Sequence, residues 1–307
     1  MTLISSTINA ALFLDGVSRL QKAQTRTQED ISSGFRVRDA ADAPEQTQEL
    51  VGLVTTLSGN QSWRTNLGRV EAEATAADSA LTTAITLVES ARTLAQQGAG
   101  SLATTAERQT LAAQVRSIQQ QIVSLANTTT EGRYIFGGDQ DLSPPYQINT
   151  ASIAGADKLT LQTSTRVISD PSGQPVYQSS TAAAIFDHRD QNGGPVADNV
   201  LVALQTLATA LGNNDVSGAA GALQSLKSGS DWLNQQQSTY GISLNRIHAE
   251  QSAAENHDTS LRSRISAIRD TDIVQAATDL SAENTAQSAA FAAQARISGK
   301  SLFDYLG

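Results

Sequence analysis

The sequence predicts a mainly α fold: a long antiparallel coiled-coil helical rod formed by both chain ends, with a small β-rich domain inserted between them. Three observations predict it. Of six prolines in 307 residues, Pro44 stands alone and the others fall between Pro144 and Pro195. Residues 45–143 and 196–307 are therefore free of the residue that breaks helices at a cost of about 3 kcal/mol. Those two segments also carry apolar residues at alternating steps of three and four, the mark of a helical seam. Finally, aromatic residues make up only 4% of the chain, too few for a thick core but enough for helices packed pairwise on Ala, Leu, Ile and Val.

In chain order, the first seam runs Ala10, Phe13, Val17, Leu20, Gln24, Thr27 and Ile31. A turn at Ser32–Ser33–Gly34 ends it, and Pro44 stands at the start of the second helix, where proline is favoured. The second seam is Leu67, Val70, Ala74, Ala77, Leu81, Ala84, Val88, Ala91 and Ala95. The stretch QQGAGSLATTAE supplies glycines to end that helix and Thr104 or Thr105, with Glu107 behind, to cap the next. Leu111, Val115, Ile118, Ile122 and Leu125 form the third seam, and Val200, Leu204, Leu207 and Leu211 a shorter fourth, ended by GNND. The longest seam runs from Leu223 to Ile268 and includes Ser230, Gln237, Gln251 and Asp258. A last one, out of phase with it across RDTD, is Ile273, Ala277, Leu280, Asn284, Gln287 and Phe291.

Between the proline-rich limits the texture changes. KLTLQT and TRVIS alternate with period two, and DPSGQP has turn chemistry. The expected organisation is therefore 1–43 with 270–307 as terminal helices, 44–143 with 196–269 as a helical rod, and 144–195 as the inserted β-rich domain. The boundary stretch GRYIFGGDQDLSPPY gathers Tyr134, Phe136 and Tyr146 around Gly137 and Gly138. Tyr134 and Phe136 are expected to form a small local core there, with the glycines reversing the backbone. Polar residues in the two terminal seams weaken an isolated coiled coil and help select a partner. Both ends are accordingly expected to fray in the monomer and to order when neighbouring subunits bury them.

Several functions are disfavoured. A net charge of −9 lacks the basic footprint of a nucleic-acid binder and disfavours anionic membrane surfaces. The absence of cysteine excludes disulfides, thiolate metal sites and cysteine nucleophiles. No apolar run approaches the ~18 residues of a membrane span. The N-terminal twenty residues lack the basic region of a cleavable secretory signal, so export would use a route that reads none. No HExxH, phosphate-loop or dinucleotide fingerprint occurs, and no acid–base pair can be named. The loop around His188, with Asp187, Asp190 and Asn192, is the one candidate for a metal, a calcium ion, but it lacks EF-hand spacing and reads better as a solvated turn. The expectation is a protein without catalytic, cofactor-binding or metal-binding residues.

Motifs at both ends carry a family resemblance. ISSGFRVRDAADAPEQTQEL, Ile31 to Leu50, resembles the segment after the first helix of bacterial flagellins and their relatives. Ser32, Ser33 and Gly34 match the turn, Arg36 and Val37 the next pair, and Asp39 to Asp42 the acidic-small loop before Pro44. AIRDTDIVQAATDLSAENTAQSAAFAAQARISGKSLFDYLG resembles the family's C-terminal helix. Gly132, Tyr134, Phe136, Gly138, Pro145 and Tyr146 resemble a stretch typical of members that join hook to filament, and the ending with Leu302, Phe303, Tyr305 and Leu306 resembles theirs too. Ala43 departs from their Asp-Asp-Pro. The resemblance implies a structural subunit of the bacterial flagellum, located outside the cell, with a filament subunit as the alternative and an enzyme carrying a metal in the insert as a more distant one. It implies assembly through Phe13, Val17, Leu20, Ile31, Ile273, Leu280, Phe291 and the four C-terminal apolar residues. The implied partners are hook-associated proteins, flagellin, further copies of the chain and an export chaperone, with neither nucleic acid nor membrane.

Overall fold

The computed structural model describes residues 2–160 and 164–298. Three helices open the chain: α1 (Thr2–Ser33), α2 (Pro44–Ala99) and α3 (Thr105–Ala126). Six short strands follow: β1 (Thr129–Thr130), β2 (Arg133–Tyr134), β3 (Tyr146–Ile148), β4 (Ala156–Lys158), β5 (Val167–Ser169) and β6 (Pro175–Gln178). They pair antiparallel as β1–β2, β3–β4 and β5–β6. Helices α4 (Ala182–Phe186), α5 (Val200–Gly212), α6 (Val216–Arg269) and α7 (Ile273–Ser298) complete the described chain. It divides into two compact units, a terminal one (Met1–Gln61 with Asn256–Gly307) and a central one (Ser62–Glu255).

Helix boundaries follow local chemistry. Helix α2 begins at Pro44, whose missing N–H would lack an intrahelical partner there anyway. Thr104 caps α3 in a capping box: its hydroxyl accepts from the Glu107 N–H, while the Glu107 carboxylate accepts from the Thr104 N–H at 2.6 Å. Asn199 caps α5, accepting from Val202 N at 3.0 Å. Asp272 accepts from the N–H groups of Val274 and Gln275 and so starts α7.

In the central unit every residue of the α2 seam from Leu67 to Ala95 is buried, as are Val200, Leu204, Leu207 and Leu211 of α5. Helices α2 and α6 run antiparallel there, and the polar residues of the α6 seam bond across it. Ser230 Oγ donates to Glu89 Oε1 at 2.7 Å, Gln237 Nε2 to Thr82 Oγ1 at 2.8 Å, and Gln251 Nε2 to Glu71 Oε2 at 2.6 Å. Seam positions that look like defects in an apolar pattern are therefore satisfied pairs, which is the condition for burying polar groups. Helix α3 packs along α5, and buried Gln119 ties them by donating to Leu201 O (3.4 Å) and to Ala154 O (3.0 Å) in the segment that follows β3.

Residues 144–195 contain short hairpins and the five-residue helix α4, which the sequence pattern did not foretell. Their buried side chains, among them Tyr146, Val176, Tyr177, Ile185 and Phe186, belong to the same apolar cluster as the seams of α2, α3, α5 and α6. The strand expected over KLTLQT stops at Lys158. Its partner strand is preceded by Pro144–Pro145, which have no N–H for a ladder, so the pairing closes with Leu159 N donating to Pro145 O at 2.9 Å. TRVIS does hold a strand, β5, joined to β6 through the turn at Gly173, φ 89°.

Candidate assembly site

The terminal unit is built on two helix pairs. On α1 the expected seam is the less exposed face: Val17 is buried, and Phe13, Leu20, Gln24, Thr27 and Ile31 are half-buried. Helix α7 runs antiparallel to it. Phe13 meets Phe291 edge to face with ring centroids 6.3 Å apart, Gln24 Nε2 donates to Asn284 Oδ1 at 3.0 Å, and Thr27 Oγ1 donates to Glu283 Oε1 at 3.3 Å. The face that α7 covers is displaced from the series read from sequence. Its covered positions are Ala276, Leu280, Glu283, Gln287, Ala290 and Gln294, while Ile273, Ala277, Asn284 and Phe291 are exposed. Alanine sits on both sides of the phase boundary, so the apolar period could not select one.

Both ends are helical over their described residues. The polar seam residues satisfy one another and so do not prevent pairing. What remains is exposed apolar surface: Leu12 and Leu14 on α1, Ile273 and Val274 on α7, Val51 and Val54 on α2. Leu12, Leu14 and Val274 lie off the heptad series, and a search for a single seam passes over them. Leu302, Phe303, Tyr305 and Leu306 lie outside the described residues. A second small cluster joins α2 to α6 through Leu53, Leu261 and Ile265, flanked by Leu50, Leu57 and Ile268.

The Ser32–Ser33–Gly34 turn docks on the RDTD joint. Ser32 Oγ donates to Glu29 O, and Ser33 Oγ accepts from Phe35 N at 3.2 Å. Gly34, at φ 75°, donates to Asp30 O and ends α1 in the left-handed conformation that glycine adopts without strain. Beyond it the chain bonds to the end of α6. Arg36 N and Val37 N donate to Arg269 O (2.8 and 3.2 Å), and Thr271 N donates to Gly34 O (2.9 Å). Phe35 and Asp270 thus form an antiparallel bridge. Arg36 Nη2 donates to Ile268 O at 2.9 Å, and the Arg269 guanidinium lies 4.1 Å over the Phe35 ring. The loop to Pro44 is tied back on α1 by Arg26–Asp42 (2.9 Å) and Arg38–Glu29 (2.8 Å). Backbone N–H groups of Asp39 and Arg38, with help from Arg26, hold the Asp42 carboxyl down at about 2.

The aromatic corner at residues 132–146 is buried more unevenly than expected. Phe136 is wholly buried and packs edge to face on Phe186 (5.8 Å) and Tyr240 (6.4 Å), while Tyr134 is only half-buried. The third and fourth rings come from Tyr177 and Tyr240, whose centroids lie 6.3 Å apart. Gly138 has φ 59° and makes the reversal. Gly137 serves a close approach instead, since a Cβ there would lie 2.7 Å from Asp141 Cα. Pro145 and Tyr146 are buried. Asn127, at the end of α3, holds Tyr146 by donating to its carbonyl (2.8 Å) and accepting from its N–H (3.0 Å).

The loop around His188 is the solvated turn its composition predicts over residues 189–193, where Asp190 and Asn192 are exposed, but not at its start. Asp187 is buried and gathers three donors: the Tyr146 hydroxyl (3.1 Å), Arg189 Nε (3.0 Å) and Asn199 Nδ2 (2.8 Å). Burial, then the adjacent Asp187 charge, raises the Tyr146 hydroxyl above the usual phenol range, so it stays a donor. His188 bonds Asp198 at 2.8 Å and stacks on Trp232. The loop's carboxylates are spent on protein donors, and among the described residues no group of three His, Asp or Glu could hold a metal ion. No described helix is long and apolar enough to cross a membrane.

Long helices from the two chain ends, paired antiparallel and separated by small sheets, define the class: a helical structural protein. Residues 4–141 match the bacterial flagellin N-terminal helical region and residues 223–306 the bacterial flagellin C-terminal helical region. The chain belongs to the bacterial flagellin family. Within it, the similarity runs to flagellar hook-associated protein 3. The Escherichia coli protein of that name is 23% identical over 94% of each chain, and the Salmonella typhimurium one 25% identical over 66% of this chain and 65% of its own length. In fold the chain is similar to a putative flagellar hook-associated protein from Vibrio parahaemolyticus (TM-score 0.63, 18% identity, 74% of this chain and 99% of that one). It is also similar to FlgL from Xanthomonas campestris (TM-score 0.60, 14% identity, 70% and 99%).

Proposed function

We propose that this chain is a non-enzymatic structural subunit of the bacterial flagellum that joins hook to filament. The observation that carries the reading is similarity to hook-associated protein 3 across nearly the whole chain, beyond the two regions that match the flagellin family models. Terminal helices 1–43 and 270–307 are the inner layer, packed against neighbouring subunits through exposed apolar side chains such as Leu12, Leu14, Ile273 and Val274. Residues 44–143 with 196–269 are the second layer, and 144–195 face outward. The partners are hook-associated proteins, flagellin and further copies of the chain, arranged in an interface that repeats around the structure. An export chaperone accompanies the chain, which leaves the cell through the flagellum's own apparatus.

Deleting the gene and counting structures by electron microscopy tests this. The expected result is hooks without filaments, restored by the intact gene, with few copies of the protein confined to the hook end. Normal filaments in the deletion strain would overturn the junction role. Abundant copies along sheared filaments would make the chain a filament subunit instead.

A further inference from the structure

We propose that the contact between the Gly34 turn and the α6–α7 joint is a clasp that sets which α7 pairs with α1, and in which register. The helix seam carries too little information to do so. Val17 and Ala276 are its only described side chains that are fully buried. Its polar layer joins Gln24 and Thr27 to Glu283, Asn284 and Gln287. A single buried amide can specify register, but a row of interchangeable ones cannot. Slipping by one turn parts the half-exposed Phe13–Phe291 pair but otherwise exchanges one polar partner for another, and replacing α7 with that of another copy leaves every seam contact the same.

The clasp is not interchangeable in this way. It uses main-chain groups at fixed positions: the Arg269 carbonyl receives both Arg36 N and Val37 N, and the Gly34 carbonyl receives Thr271 N. Gly34 reaches this geometry at φ 75°, with nothing within 4 Å of where a Cβ would stand. The Phe35–Arg269 stack and the Arg36 bond to Ile268 O tie the turn to the last residues of α6. Because α7 starts at Ile273, a closed clasp places its first turn beside the end of α1 and leaves one register within reach. A tether of this length gives the intrachain partner a high effective concentration over any partner from another copy. The terminal pair is therefore made within one chain, and neighbours meet its outer face.

The chain lacks cysteine, so placed thiols report pairing directly. Full-length protein carrying Thr27→Cys and Glu283→Cys is treated with a short bismaleimide and compared with a slipped pair, Ile31→Cys and Glu283→Cys. With the clasp intact, the first pair should crosslink within the chain at least about tenfold more than the second. Adding Gly34→Val, or separately Arg36→Ala with Phe35→Leu, should bring the two yields together. It should also raise interchain product about tenfold when chains carrying only Thr27→Cys and only Glu283→Cys are mixed. Circular dichroism confirms that each variant keeps its helices, and the side-chain variant stands in if Gly34→Val fails to fold. Unchanged register and unchanged interchain yield in folded clasp variants would overturn the proposal.

Discussion

Replacing Phe136 by alanine removes a ring with no exposed surface from between Phe186 and Tyr240. Truncating a buried phenylalanine costs about 3–5 kcal/mol, because lost transfer energy adds to that of the unfilled cavity. The site has little room to collapse: the Phe136 carbonyl accepts from Ala182 N at 2.9 Å, and the following Gly137 sits against Asp141. The upper half of that range is expected. At an unfolding slope of about 2 kcal/mol/M, a 4 kcal/mol loss moves the urea midpoint down by about 2 M. Tyr134→Ala, which truncates the half-buried ring two positions earlier, should cost about 1 kcal/mol. Phe136→Leu, which keeps most of the volume, should cost under about 1.5 kcal/mol. Equilibrium urea unfolding of the full chain, followed by circular dichroism, checks all three. Equal midpoints for Phe136→Ala and Tyr134→Ala would refute the view that Phe136 anchors the corner.

Two further outcomes are expected. Thr104→Ala removes the capping hydroxyl of α3 and should cost about 1 kcal/mol, seen as faster amide exchange at Glu107 and Arg108; unchanged exchange there would count against the cap. Asp42, held at about 2 against an ordinary 3.8, contributes stability that is fully present above the ordinary value and is lost as pH falls through about 2. Protease cutting in the 34–43 loop should therefore rise from about pH 3.8 downward, and Asp42→Asn should remove that dependence.

The legible parts of the fold were those whose signals are local. The α2 seam from Leu67 to Ala95 and the α5 stripe are buried as their period demands. Thr104 with Glu107, Pro44 and the Ser-Ser-Gly turn sit where capping chemistry places them. Misreadings arose where the local signal is ambiguous or silent. Alanine at 276 and 277, and again at 289 and 290, fits either phase of a heptad, so the covered face of α7 was displaced. Asp187 stands in a polar loop and reads as solvated. Tyr146, 41 positions away, and Asn199, 12 positions away, make it a buried acceptor.

By itself the sequence determined where the long helices run and how several of them end, because those properties depend on groups within about four residues of one another. The resemblance at both termini came from such segments as well. Tertiary structure alone decided that Phe136 takes Phe186 and Tyr240 as neighbours, and that the first turn clasps the last joint. Arg36 and Ile268 are 232 positions apart, and no periodic pattern records a contact at that distance. It forms because antiparallel helices bring unpaired main-chain groups at their ends together, where buried or half-buried N–H and C=O groups must find partners.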